Sequence, residues 1–107
     1  MENWKIIERA PMYSVSDRGR VVHNEIDKII EPHFIDGHAT VNLNCGNRRI
    51  KATVHNLVAE AFVAGWRSGW IVKHKDLNPE HLNASNLHWK PRYNRAWFVE
   101  DGEEIEI

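Results

Sequence analysis

Residues 70–94 read WIVKHKDLNPEHLNASNLHWKPRYN, and the order of elements in this stretch decides the fold. Trp70-Ile71-Val72 is aromatic and β-branched and reads as a strand, the polar residues around Asp76 to Pro79 as a loop, and Leu87-His88-Trp89 as the partner strand. Pro91 suits the first position of a helix, where its missing N–H costs nothing. That helix is expected to run through Arg92, Asn94, Arg95 and Trp97 to about Phe98. The unit is therefore β, loop, β, α.

Upstream the periodicity is that of antiparallel β-structure. Tyr13 and Val15 alternate with Ser14 and Ser16, and Arg20-Val21-Val22 resumes a strand after Asp17-Arg18-Gly19, which predicts a hairpin. Asp36-Gly37 and Cys45-Gly46-Asn47 mark two further turns, bounding a strand over Ala39–Leu43 and another over Arg49–Val54. From Val54 the period changes: Leu57, Val58, Ala61 and Phe62 form one apolar face of a helix ending before Gly65. The expected class is α+β in a single compact domain over residues 1–107. It divides into an N-terminal β module at 4–53, a central helix at 54–64, the β-loop-β-α unit at 69–98 and an acidic tail at 99–107.

Composition narrows the function. With 107 residues, one small core is the natural solution. No apolar run approaches the ~18 residues of a spanning helix, so no membrane role is expected. The start, MENWKIIERA, does not read as a secretory leader, and Cys45 alone builds neither a disulfide framework nor a Cys-rich zinc site, so a cytoplasmic protein is expected. The net charge of −1 conceals an asymmetry. Residues 1–99 carry fourteen Lys and Arg against ten Asp and Glu, while the last eight residues hold five acids and no base. A mildly basic body permits polyanion binding, with affinity set by where the cations cluster.

The chemistry concentrates in the last unit. His74, Asp76, Asn78, Asn83, Asn86 and Asn94 fall within twenty-one positions. A neutral imidazole at a strand end can take a proton from water, and amide or carboxylate oxygens can hold a hard divalent cation. Hydrolysis of a phosphodiester needs both functions. Taken singly, His74 also reads as a hydrogen-bonded strand-end residue and Asn86 as a turn or cap. The recurrence of His74, His81 and His88 every seven residues does not point to zinc. Equal spacing has no meaning along a β-loop-β path, and a fourth ligand is lacking. His55 reads as structural, His23, His33 and His38 as surface or turn residues, and Trp70 and Trp89 as core.

Val72-Lys73-His74-Lys75-Asp76-Leu77-Asn78, then Asn83, Asn86-Leu87-His88-Trp89 and Asn94 resemble the HNH nucleases. Trp4-Lys5-Ile6, Tyr13 to Val21 and Val54-His55-Asn56-Leu57-Val58-Ala59-Glu60-Ala61-Phe62 resemble the modular N-terminal segment and helix of phage and intron-encoded HNH homing endonucleases. The resemblance implies a ββα-metal fold that hydrolyses DNA phosphodiester bonds with Mg²⁺ or Mn²⁺. By position it implies His74 as general base, Asn86 as the residue steadying the His loop, and Asn94 as a helix-borne metal ligand. The sequence departs from the pattern at Lys73, where the homing enzymes often place a metal-binding Asp, and at Leu77, where the turn usually has Gly. Asp76 is then the substitute ligand if the chain stays extended, or a turn residue if it does not.

Lys73, Lys75, Arg92 and Arg95 surround this site and are expected to align the phosphate. Arg18 and Arg20 flank one hairpin turn, and Arg48, Arg49 and Lys51 follow another, so these too are expected DNA contacts. One such site makes a nick. A double-strand break requires a homodimer or a partner nuclease, such as phage packaging machinery, and a phage-encoded protein would act in the bacterial host cytoplasm. Two other functions fit the same residues: a catalytically impaired DNA-binding or regulatory module, and a protein-interaction module using the acidic tail or exposed aromatics.

Overall fold

The computed structural model of the chain describes residues 1–91. Among the described residues, three antiparallel sheets surround one α-helix. The first has the order β1 (Trp4–Ile6), β2 (Tyr13–Ser16), β3 (Val21–His23), β4 (Lys28–Ile29); the second is β5 (His33–Ile35), β6 (His38–Cys45), β7 (Arg48–Thr53); the third pairs β8 (Trp70–His74) with β9 (Leu87–Pro91). Helix α1 (Val54–Phe62) follows β7 directly and packs against strands of all three sheets. The α+β class and the three turns read from the sequence stand. Among the described residues no helix is long and apolar enough to cross a membrane.

The buried cluster explains this arrangement. Val15 and Val21 from the first sheet, Val41 and Leu43 from the second, Leu57 and Val58 from α1, and Val72 and Leu87 from the third share one apolar core. Alternation along β6 and β7 places Val41, Leu43, Ile50 and Ala52 on the core side, while Asn42, Asn44, Arg49 and Lys51 share the opposite face. Polar links tie the layers. The Asn44 N–H donates to the Tyr13 hydroxyl at 3.1 Å, and the Trp89 indole N–H donates to the Val63 carbonyl at the helix end at 3.0 Å. Ser16 is fully buried, and its hydroxyl accepts the N–H groups of Arg18 and Arg20, which builds the β2–β3 turn.

The structure corrects several expectations. Pro91 closes strand β9, opposite Trp70, rather than opening a helix; at the end of a two-stranded sheet its missing N–H forfeits no ladder bond that a central strand would need. The expected helix beyond it and the tail lie outside the described residues. Helix α1 stops at Phe62, short of residue 64, where the Lys5 ammonium donates to the Ala61 carbonyl and the chain turns extended at Val63. The short strand β4 and a single 3₁₀ turn at Ala84–Asn86 carry no sequence periodicity and were not anticipated. Trp70 and Trp89 are half-buried rather than fully in the core: Trp89 packs against the buried cluster, and the Arg67 guanidinium lies over the Trp70 ring.

Candidate active site

His74 is the last residue of β8, pairs with Leu87 of β9, and retains only 9% of its surface. Alternation along β8 places Val72 and His74 on the core-facing side and Lys73, exposed, on the other. His74 borders a cleft of about 420 Å³ together with His38, His55, Asn56, Lys73, Leu77 and Pro79. The loop that leaves His74 turns at once: the Leu77 N–H donates to the His74 carbonyl at 3.0 Å. Leu77 adopts φ +64°, a left-handed conformation that glycine takes more cheaply than leucine.

Asn86 holds that loop from the far strand. Its main-chain carbonyl accepts the Lys75 N–H at 2.7 Å and its side-chain carbonyl accepts the Asp76 N–H at 3.2 Å. Its amide donates to Asp76 Oδ1 at 3.0 Å and to the His81 carbonyl at 2.9 Å. One residue thus fixes both ends of the segment between His74 and His81. Asp76 is drawn into the same turn. Its Oδ1 also accepts the Asn78 N–H, and its Oδ2 makes a short contact with His81 Nδ1. The hydrogen bond to His81, reinforced by those from Asn78 and Asn86, holds the Asp76 carboxyl well below the usual carboxylate range.

The residues around the cleft do not fit the divalent cation that the resemblance implies. Lys73 offers no lone pair, both Asp76 oxygens serve the turn, and no cluster of three His, Cys, Asp or Glu among the described residues is arranged to hold a metal. Asn94 lies outside the described residues, as do Arg92 and Arg95. The described residues do not by themselves supply a ligand set.

Three histidines far apart in sequence meet behind the strand end. The ring of His55, in the first turn of α1, lies 5.1 Å from His74, edge to face at 66°, and 5.2 Å from His38 at 57°. Burial, with repulsion from His74 and His38, pushes the His55 imidazole down to about 4. His74 is lowered for the same first reason, desolvation, with His38 and His81 opposing its protonation and Asp76 favouring it. Both imidazoles are thus biased to the neutral form that a general base requires. From the sequence, His38 reads as a surface or turn residue and His55 as structural. Neither has a local signal, because their meeting depends on how β6, α1 and β8 pack. His81, whose Nδ1 meets Asp76 Oδ2, is likewise not singled out as a partner of Asp76 by its sequence position.

The expected cationic contacts divide. Lys73 and Lys75 are both exposed, and Lys73 lines the cleft. Arg49 and Lys51 share the polar face of the second sheet with Asn42 and Asn44, whereas Arg48 pairs with Cys45 on the opposite face. The strand alternation that carries this polar face leads to His38 at the start of β6. Arg18 is exposed at its turn, but the Arg20 guanidinium is engaged by the Glu2 carboxylate and stacks over Trp4.

No protein-family model matches the chain. It is 35% identical over 79 residues to the DNA endonuclease I-HmuI of Bacillus phage SP01, a match covering 72% of this chain and 45% of that protein. It is 30% identical over 86 residues to an uncharacterised HNH endonuclease of Acanthamoeba polyphaga mimivirus, covering 80% of this chain and 26% of the relative. The solved structure describing DNA binding and cleavage by the HNH homing endonuclease I-HmuI superimposes with a TM-score of 0.80 at 32% identity, over 84% of this chain and 53% of that one. The chain spans about half or less of the length of each of these proteins.

Proposed function

Because the chain is similar in both sequence and fold to HNH homing endonucleases, we propose that it hydrolyses DNA phosphodiester bonds, one strand at a time. The observation that most supports this is His74 itself: a largely buried, neutral-biased imidazole at a strand end, on a cleft beside Lys73, in a loop pinned by Asn86. His74 accepts a proton from the attacking water. Asn86 keeps the loop from moving as it does so. Lys73 and Lys75 place the phosphate at the cleft, and Arg49, Lys51 and Arg18 extend the cationic contact along the duplex, joined by Arg92 and Arg95. Mg²⁺ or Mn²⁺ held through Asn94, with Asp76 only if its turn opens, would offset charge on the phosphate. A double-strand break then needs a second copy or a partner nuclease.

The occupied Asp76 carboxylate and Lys73 favour a second reading, a DNA-binding module on the same fold with weak or no cleavage. Conversion of supercoiled plasmid to nicked circle separates the two, using wild type, His74→Ala and Lys73→Asp with Mg²⁺, Mn²⁺ or EDTA. Nicking by wild type only with metal, lost in His74→Ala, supports the nuclease. An inert wild type that binds DNA in a salt-sensitive way, with metal-dependent nicking gained in Lys73→Asp, supports the binding module. Neither binding nor cleavage overturns both.

A further inference from the structure

His74 has one ring nitrogen, Nε2, sealed from solvent with no hydrogen-bond partner among the described residues, and His55 likewise has Nδ1 buried and without a partner among them. Unpaired buried polar atoms are rare because each forfeits its hydration, so two on touching rings require a common explanation. The ring centroids are 5.1 Å apart. That is close to the spacing of two imidazoles joined by an in-line N–H to N hydrogen bond of about 2.9 Å. His38, whose Nδ1 is also buried without a partner among the described residues, packs against His55 and confines it. A ring flip of His55 exchanges nitrogen and carbon positions at little cost in packing.

We propose that His55 is a positioning residue for His74: its imidazole nitrogen accepts the Nε2–H of His74, fixing the tautomer that leaves the Nδ1 lone pair to act at the cleft. The nitrogen that acts must carry a lone pair, and Nε2 is the one sealed inside, so the proton belongs on Nε2 and needs an acceptor. His55 can be that acceptor only as a neutral ring. Its burial, and the repulsion that a second charge beside His74 and His38 would meet, keep it so at neutral pH. The catalytic consequence rests on the nuclease function proposed above; the hydrogen bond itself does not.

The test is the tautomer of His74 in the full chain, read at pH 7.5 from two-bond proton–nitrogen correlations of the ring, in wild type, His55→Phe and His55→Gln. Phe keeps the ring packing without an acceptor, and Gln restores an acceptor without the ring. The expected result is a single His74 tautomer protonated at Nε2 in wild type, a mixed population in His55→Phe, and recovery in His55→Gln. Nicking should fall about 10–100-fold in His55→Phe at unchanged DNA affinity, a loss of the size seen when a metal-bound histidine loses the partner that orients it, and return in His55→Gln. A His74 proton on Nδ1 in wild type overturns the proposal without any variant, as does a wild-type tautomer pattern in His55→Phe. The expected tautomers in a protein that never nicks DNA would support the hydrogen bond and overturn the nuclease reading alone.

Discussion

Gly19, in the β2–β3 turn, lies against the side chain of Leu82, in the loop between β8 and β9: a Cβ built on Gly19 would sit 2.6 Å from the Leu82 Cβ. Close by, the Ala84 N–H donates to the Asp17 carbonyl at 2.8 Å. The N-terminal hairpin is thereby seated on the loop that Asn86 terminates, and the glycine serves twice, since its φ of +88° is also left-handed.

Gly19→Ala meets both the strain and the clash. It should lower unfolding free energy by about 2–4 kcal/mol in urea titrations. Leu82→Ala in the same background removes the obstructing atoms beyond Cβ and should recover only a minor part, because the nearest contact is Cβ to Cβ. Full recovery would show that the turn tolerates an L side chain.

Leu77 presents the opposite case. It holds φ +64° with 85% of its surface exposed, so the side chain gains little from packing. Relief of left-handed strain, at roughly 1–2 kcal/mol, outweighs the extra chain entropy of glycine, at roughly 0.5–1 kcal/mol. Leu77→Gly should therefore stabilise the protein by several tenths of a kcal/mol to about 1 kcal/mol, seen as a raised urea midpoint at unchanged slope.

Asn86→Ala removes an acceptor for the Asp76 N–H and the donor to Asp76 and His81. The expected loss is about 2 kcal/mol of stability, with faster amide hydrogen exchange confined to residues 75–81. Uniform acceleration over the whole chain would instead mean that Asn86 supports the fold at large rather than the loop.

Stability should fall on acidification through His55. Its folded value of about 4 lies below the ordinary 6.5, so between those limits the unfolded chain binds the proton and the folded chain does not. The loss begins as pH drops through about 6.5 and is complete near 4. Between pH 7.5 and 5 it should amount to on the order of 1–2 kcal/mol. His55→Phe should flatten this slope in thermal melts, with His74 supplying a remainder of the same sign.

The two faces of β7 give a DNA-binding prediction. Arg49→Gln and Lys51→Gln, which lie on the polar face leading to His38, should each reduce the slope of log affinity against log salt by about 1. Arg48→Gln, on the other face, should leave it unchanged. Equal effects at all three positions would place the duplex across the hairpin tip instead.

The sequence alone determined the features that depend on near neighbours. Tyr13 and Val15 alternating with serines, glycine at the β2–β3 turn, the switch of period at Val54 and the strand-loop-strand order around His74 are all local. Each follows from the backbone's own geometry, in which a few consecutive residues select strand, turn or helix. The resemblance to HNH nucleases rested on the same short segments. Only the tertiary structure decided what meets across them. The contact of His38 on β6, His55 on α1 and His74 on β8 depends on how one helix seats against two sheets. The same holds for the capture of Arg20 by Glu2 and the docking of Gly19 on Leu82. Whether Asp76 faced outward as a ligand or inward as a turn residue was open in the sequence, since both conformations suit the residue. The amide of Asn86 and the ring of His81, brought to it by the β8–β9 pairing and the closure of its loop, placed its carboxylate in the turn.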